Sequence, residues 1–85
     1  MKNVQFSPTA IEEFRKFKSG NQNLAFKIFE LIADIQNTPF LGLGKPEGLK
    51  GNYQGFWSRR INDEHRLIYT VSDELIIIHS CFGHY

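Results

Sequence analysis

Hydrophobic positions along the chain change rhythm near residue 40. Before that point they recur at intervals of three and four, and after it they come in short runs separated by polar turns. Val4 to Phe6 reads as a short opening strand. Ser7-Pro8 then gives a helix start, with serine as the cap and proline at the first helical position. Glu12 and Glu13 sit in the early turns, where carboxylates suit the positive end of the helix dipole. Ile11, Phe14 and Phe17 draw an apolar stripe, and Ser19-Gly20 stops the helix. Asn21 can cap a second helix running to about Asn37. In it Leu24, Ile28, Leu31 and Ile35 recur at helical spacing, with Ala25, Phe29 and Ile32 alongside. Pro39 disfavours helical geometry at Thr38 and ends the run. Two short amphipathic helices joined by a tight turn form an antiparallel pair.

From Phe40 the texture differs. Leu41 to Pro46 holds two glycines and a proline, so it reads as a loop. Strand-like runs follow at Phe56 to Ile61, Leu67 to Val71 and Leu75 to Phe82. Asn62-Asp63-Glu64 and Ser72-Asp73 separate them as hairpin turns. Strands after helices make an α+β pattern. The expected architecture is strand, helix, helix, then an antiparallel sheet with the helices on one face, in a single domain over residues 1–85. There is no internal repeat and no low-complexity tract.

Composition sets limits on function. Of 85 residues, 41% are hydrophobic and eight are Phe, which excludes a disordered chain. A domain this small leaves roughly a third of its unfolded surface exposed, so its stability is modest and a partner adds to it. Ten basic and nine acidic residues give a net charge of +1, without the general basic excess of many nucleic-acid binders. If RNA is the substrate, the cations must be concentrated on one surface, or something larger must hold the RNA. The single cysteine, Cys81, allows no internal disulfide and fits a reducing compartment. The N-terminus lacks the apolar run of a signal peptide, and no stretch approaches the ~20 apolar residues of a membrane span. A cytoplasmic protein with no membrane partner is expected.

The C-terminal half gathers Lys45, Glu47, Lys50, Trp57, Arg59, Arg60, His65, Arg66, His84 and Tyr85. A twisted antiparallel meander can bring such groups onto a common face. Metal-free RNA cleavage needs a base for the ribose 2′-hydroxyl, an acid for the departing 5′-oxygen, and cations for the charge on the phosphoryl group. A glutamate such as Glu47 suits the first role and a histidine such as His84 the second. Arg66 can grip phosphate through its planar fork, with Arg60 or Lys50 assisting. Each residue also has a plainer reading. Glu47, after a proline, is an ordinary exposed carboxylate, and one of Arg59 and Arg60 simply faces solvent. Arg66 is a structural partner of Asp63 or Glu64. His79 is a hydrogen-bonded core histidine, His65 is exposed at a turn exit, and Trp57 belongs to the core rather than to a stacked base. Cys81 and His84 make only two ligands, so no metal site and no cofactor are expected.

An ordered set of segments adds to this. Thr38-Pro39-Phe40 precedes Gly44-Lys45-Pro46-Glu47 and Leu49-Lys50; then come Gly55-Phe56-Trp57-Ser58-Arg59-Arg60-Ile61, Glu64-His65-Arg66-Leu67-Ile68-Tyr69 and the terminal His84-Tyr85. From Phe6-Ser7 to Tyr85 the chain resembles the Txe/YoeB toxins of the RelE superfamily. That resemblance implies the microbial ribonuclease fold of RelE-like toxins. It implies Glu47 as general base, Arg66 as transition-state stabiliser and His84 as general acid, with Lys50, Arg60 and Tyr85 around the phosphate and the base. It further implies an endoribonuclease acting on mRNA in the ribosomal A site and neutralised by a cognate YefM/Axe-type antitoxin. Operator DNA would be bound only through the antitoxin complex, and a homodimer is left open. Gly48 departs from the family, which often has a second proline there, and Phe82-Gly83 replaces a bulkier pair; both changes are expected to loosen the segments carrying Glu47 and His84. The alternative reading is an inactive RelE-like protein serving mainly in operon repression with its antitoxin.

Overall fold

A computed structural model describes residues Lys2–Gly83. The elements follow as β1 (Asn3–Phe6), α1 (Pro8–Gly20), α2 (Gln22–Asn37), β2 (Glu47–Gly48), a 3-10 turn at Gly51–Tyr53, β3 (Trp57–Arg60), β4 (Arg66–Val71) and β5 (Leu75–Ser80).

The helical hairpin follows from its caps. Ser7 Oγ accepts from Ala10 N at 3.1 Å, satisfying a donor that the first turn would otherwise leave unpaired. Asn21 serves both helices. Its N–H donates to Phe17 O, closing α1, and its Oδ1 accepts from Leu24 N, opening α2. Thr38 N donates to Asp34 O at the far end, just before Pro39. α2 buries Ala25, Ile28, Leu31, Ile32 and Ile35, one continuous stripe at three- and four-residue spacing. α1 buries Ala10 and Phe17 instead of the full expected stripe, and Ile11 is turned outward, as is Phe29 on α2. Four residues make more than a full turn, so Ile11 and Phe29 flank the buried stripes on their outer side.

Five strands form one sheet in the order β1-β5-β4-β3-β2. β2 to β5 are antiparallel as expected, but β1 pairs with β5 in parallel, Asn3 opposite Leu75 and Phe6 opposite Ile78. The antiparallel sheet expected after the helices is present, and β1 joins its edge in parallel to make a mixed five-stranded sheet. Alternation within a four-residue edge strand reports which side chains are buried, not which way the strand runs. β2 is also new. Glu47 was expected in a loop, yet it pairs with Ser58 while Gly48 pairs with Trp57.

Ile28, Leu31 and Ile35 of α2 pack with Leu67, Tyr69, Ile76 and Ile78 of the sheet in one cluster with Ala10, Phe17 and Cys81. Cutting one such Ile or Leu to Ala costs about 2–5 kcal/mol. Both helices thus cover one face and leave the other open. No helix among the described residues is long and apolar enough to cross a membrane.

Candidate active site

β3 divides its arginines between the two faces, because successive side chains of a strand point opposite ways. Arg59 turns towards the helices and is fully buried, whereas Arg60 is exposed on the open face. The ladder then sets a pattern on that face. Glu47 stands opposite Ser58, Ser58 opposite Ile68, and Arg60 opposite Arg66. Together with Lys45 and Leu49 these residues line a cleft of about 220 Å³.

Three cations and one carboxylate meet here, so the charge missing from the composition is concentrated locally. Like charges directly opposite on neighbouring strands are unfavourable. An anion lying between Arg60 and Arg66 removes that cost. Arg66 is already oriented: its Nη1 donates to Asn62 O at 2.8 Å and also reaches His65 O and Asp63 O. Its partners are therefore backbone carbonyls rather than the Asp63 or Glu64 carboxylates anticipated as an alternative.

Of the residues expected from sequence, Glu47, Arg60 and Arg66 come together in this cleft. Lys50 lies at its lip, in an adjoining shallow hollow with Glu47, Gly48 and Leu49. His84 and Tyr85 lie outside the described residues. Gly83, immediately before them, has its carbonyl bonded to Arg66 N at 2.8 Å. Two lining residues, Lys45 and Ser58, were not assigned to the site in advance. The signal for Ser58 was its position two before Arg60 on one strand; for Lys45 it was the same spacing before Glu47.

Behind the cleft, Arg59 holds the loop that leads to Glu47. Its Nη1 donates to the Asp34 carboxylate and to Leu43 O, its Nη2 to Thr38 O and Leu41 O, and its Nε to Tyr69 Oη. Tyr69 Oη in turn donates to Pro39 O at 2.8 Å. The Arg59 hydrogen bond, followed by that from Leu43 N, holds the Asp34 carboxyl below its ordinary value. Burial outweighs the same arginine at Tyr69 and pushes its hydroxyl up. The loop can lie this close because of its glycines. Gly44 has φ +77°, and a Cβ there would fall 2.9 Å from Arg60 O and 3.0 Å from Leu31 Cδ2. Gly44 O also accepts from Arg60 N, which ties the loop to β3 directly before Lys45. Gly48, expected to loosen this segment, sits in the ladder against the Trp57 indole.

Other candidates resolve as follows. Trp57 packs on the core and against Phe40, as its plainer reading held. His79 bonds Thr70 Oγ1 through Nε2 at 2.9 Å, and burial lowers its pKa. It lies beside Phe56 on the open face rather than in the helix-covered core. His65, expected to be exposed, is buried between Phe17 and Phe82. The turn exit that carries it is covered by the chain segment following β5. Cys81 is buried beside Ala10 O, and burial together with the nearby Glu13 pushes its thiol up to about 12. It is held as an inert thiol, not as a thiolate ligand.

Residues 6–85 match the model of the YoeB-like toxins of bacterial type II toxin-antitoxin systems. The chain belongs to that family. Toxin YoeB of Escherichia coli K12 is 45% identical over 80 residues, covering 94% of this chain and 95% of that one. The YoeB dimer from Staphylococcus aureus superposes with a TM-score of 0.93 at 47% identity, covering 99% and 98%. The YoeB-YefM complex from the same organism contains a chain 48% identical, with a TM-score of 0.90 over 100% and 99%. The α+β arrangement of two helices on a five-stranded sheet is thus the RelE-like toxin fold of the YoeB family.

Proposed function

We propose that this protein is the toxin of a toxin–antitoxin pair and an endoribonuclease that cuts mRNA in the ribosomal A site in the bacterial cytoplasm. The observation that carries the proposal is the cleft in which the Glu47 carboxylate shares about 220 Å³ with Arg60 set directly opposite Arg66. A carboxylate beside paired guanidinium groups suits a reaction that removes a proton from a hydroxyl next to a phosphodiester. Glu47 takes the proton of the ribose 2′-hydroxyl, and the resulting oxygen attacks the adjacent phosphorus. Arg66, with Arg60 and Lys50, holds the charge that builds on the phosphoryl oxygens. His84 gives a proton to the departing 5′-oxygen, and Tyr85 positions the base or phosphate. No metal is assigned a role. With a net charge of only +1 the protein grips free RNA weakly, and the ribosome supplies the positioning. A YefM-type antitoxin is the partner that silences it, and a homodimer and antitoxin-dependent operator binding accompany this reading.

The deciding experiment follows a programmed ribosome carrying an mRNA with a 2′-deoxy nucleotide 5′ of the cut. The substitution should block cleavage, while the normal message yields a downstream fragment with a 5′-hydroxyl. Unimpaired cutting of the 2′-deoxy message, or a 5′-phosphate end, overturns the mechanism. Equal rates with and without ribosomes overturn the A-site assignment.

A further inference from the structure

Gly83 is gripped from two sides. Its carbonyl accepts from Arg66 N, and its N–H donates to His65 Nδ1, both at 2.8 Å. His65 itself is fixed. Its N–H donates to Asn62 Oδ1 at 2.7 Å, its carbonyl accepts from Ile61 N, and its ring lies against Phe17 and Phe82 with centroids 5.0 and 4.6 Å away. Phe82 is in turn covered by Lys16 of α1 at 5.2 Å. Gly83 has φ +72°, a conformation glycine adopts at little cost, so the backbone turns sharply where it is clamped. The glycine that leaves a terminal segment loose on sequence grounds is therefore a tied point.

We propose that His65 is a positioning residue of the candidate active site: by accepting from Gly83 N–H it fixes the chain beside Arg66 at the residue directly before His84 and Tyr85. This rests on the ribonuclease reading for its catalytic consequence, though the latch stands on the contacts alone. Consecutive residues divide the work, since Arg66 lines the cleft while His65 holds Gly83 against the Arg66 backbone. The latch also imposes a protonation state. Nδ1 can accept only while it carries no proton, so the ring's hydrogen resides on Nε2, which faces Glu64 Oε1 at 3.7 Å. A second proton places two donors face to face and opens the latch. The charged groups around the ring are Glu64 beside it, Arg66 next in the chain and Lys16 beyond Phe82; Glu13 of α1 accepts from Cys81 N near the same tail.

Two substitutions separate the acceptor from mere bulk. Asparagine places an oxygen near the position of Nδ1 and takes up no proton; leucine fills the space and accepts nothing. Single-turnover cleavage on ribosomes should fall about tenfold in His65→Leu with KM unchanged, the loss of one oriented hydrogen bond. His65→Asn should keep most of the rate. The Gly83 amide gives a readout free of any assumption about activity. Its hydrogen-exchange protection should be about tenfold lower in His65→Leu than in the wild type, and should stay level in His65→Asn. Equal rates for wild type and His65→Leu, a rate in His65→Asn as low as in His65→Leu, or an unprotected Gly83 amide in the wild type overturns the inference. A Gly83 amide protected in the wild type and exposed in His65→Leu, in a protein that cuts no RNA, would leave the latch standing and sink the ribonuclease reading instead.

Discussion

Arg59 and Arg60 are neighbours in sequence and opposites in circumstance. Arg59, on the helix side of the sheet, is fully buried with donors matched to Asp34, Tyr69 and three carbonyls of the loop over residues 38–43. Arg60, on the open side, faces a second arginine across the ladder. The first is a charge whose every demand is met, and the structure around it is correspondingly rigid. The second pair is set up for an anion that the protein does not itself provide. One strand therefore serves stability on its covered face and reactivity on its open one, and the contrast can be tested from both sides.

Arg59→Ala should have the largest effect. Removing one partner of a buried ion pair leaves the other unpaired and costs about 3–5 kcal/mol. Native stabilities of roughly 0.05–0.15 kcal/mol per residue make that a large share of what an 85-residue domain has. Urea unfolding should show the variant largely unfolded or with a strongly reduced midpoint; a midpoint near wild type would mean that the Arg59 network is not what holds the loop.

Glu47→Gln should do the reverse. Unfolding should be unchanged because Glu47 is exposed, whereas single-turnover cleavage should fall by roughly 10²-fold or more. Arg66→Ala and His84→Gln should lose about as much. Wild-type rates in folded variants would remove these residues from the reaction.

The acid limb of stability should carry the mark of Asp34. Its carboxyl is held below the ordinary value of 3.8 by Arg59, so the folded state favours the ionised form. That contribution is complete above 3.8 and is lost as pH falls through the lower, folded value. Unfolding free energies measured from neutral to acid pH should therefore decline below about pH 4 in the wild type and less steeply in Asp34→Asn, which starts from a lower plateau. Identical slopes would discount the ion pair.

The smallest effect belongs to Arg60→Ala. Relieving the repulsion from Arg66 should leave stability unchanged or raise it by about 0.2–1 kcal/mol at low salt, with the gain shrinking as salt is added. RNA cleavage should weaken at the same time. A clear destabilisation would show that Arg60, like Arg59, is structural.

How much of this was legible in the chain depends on distance along it. The helix caps at Ser7 and Asn21 and the stop before Pro39 act over three or four residues, and all were readable. The direction of β1 depends on a partner near the other end of the chain and was not. Strand alternation announced that one of Arg59 and Arg60 would point inward. It did not say which, because the acceptors that make Arg59 the buried one lie 16 to 25 positions earlier, on the end of α2 and on a loop whose path was unknown. Glu47, Arg60 and Arg66 were picked out by chemistry and family resemblance, and the ladder brings them together. His65 was misjudged as exposed for the same reason that Arg59 was undecided: the segment that covers it returns from β5.

The place of β5 between β1 and β4 has a consequence for how the protein comes into being. Ser7, directly after β1, is joined to His79 of β5 across 72 positions, so an interior strand of the sheet is synthesised after the other four described strands. A nascent chain that has emerged only as far as Thr70 has a helical hairpin and part of a meander, with β1 unpaired and β4 presenting a bare edge. Contacts of such long range form slowly and late. The tail that passes Arg66 can be latched only after β5 is in place. Such chains already carry every residue that lines the cleft but not the Gly83 clamp beside Arg66, and until β5 emerges their exposed strand edges are the surfaces most open to aggregation or capture by another chain.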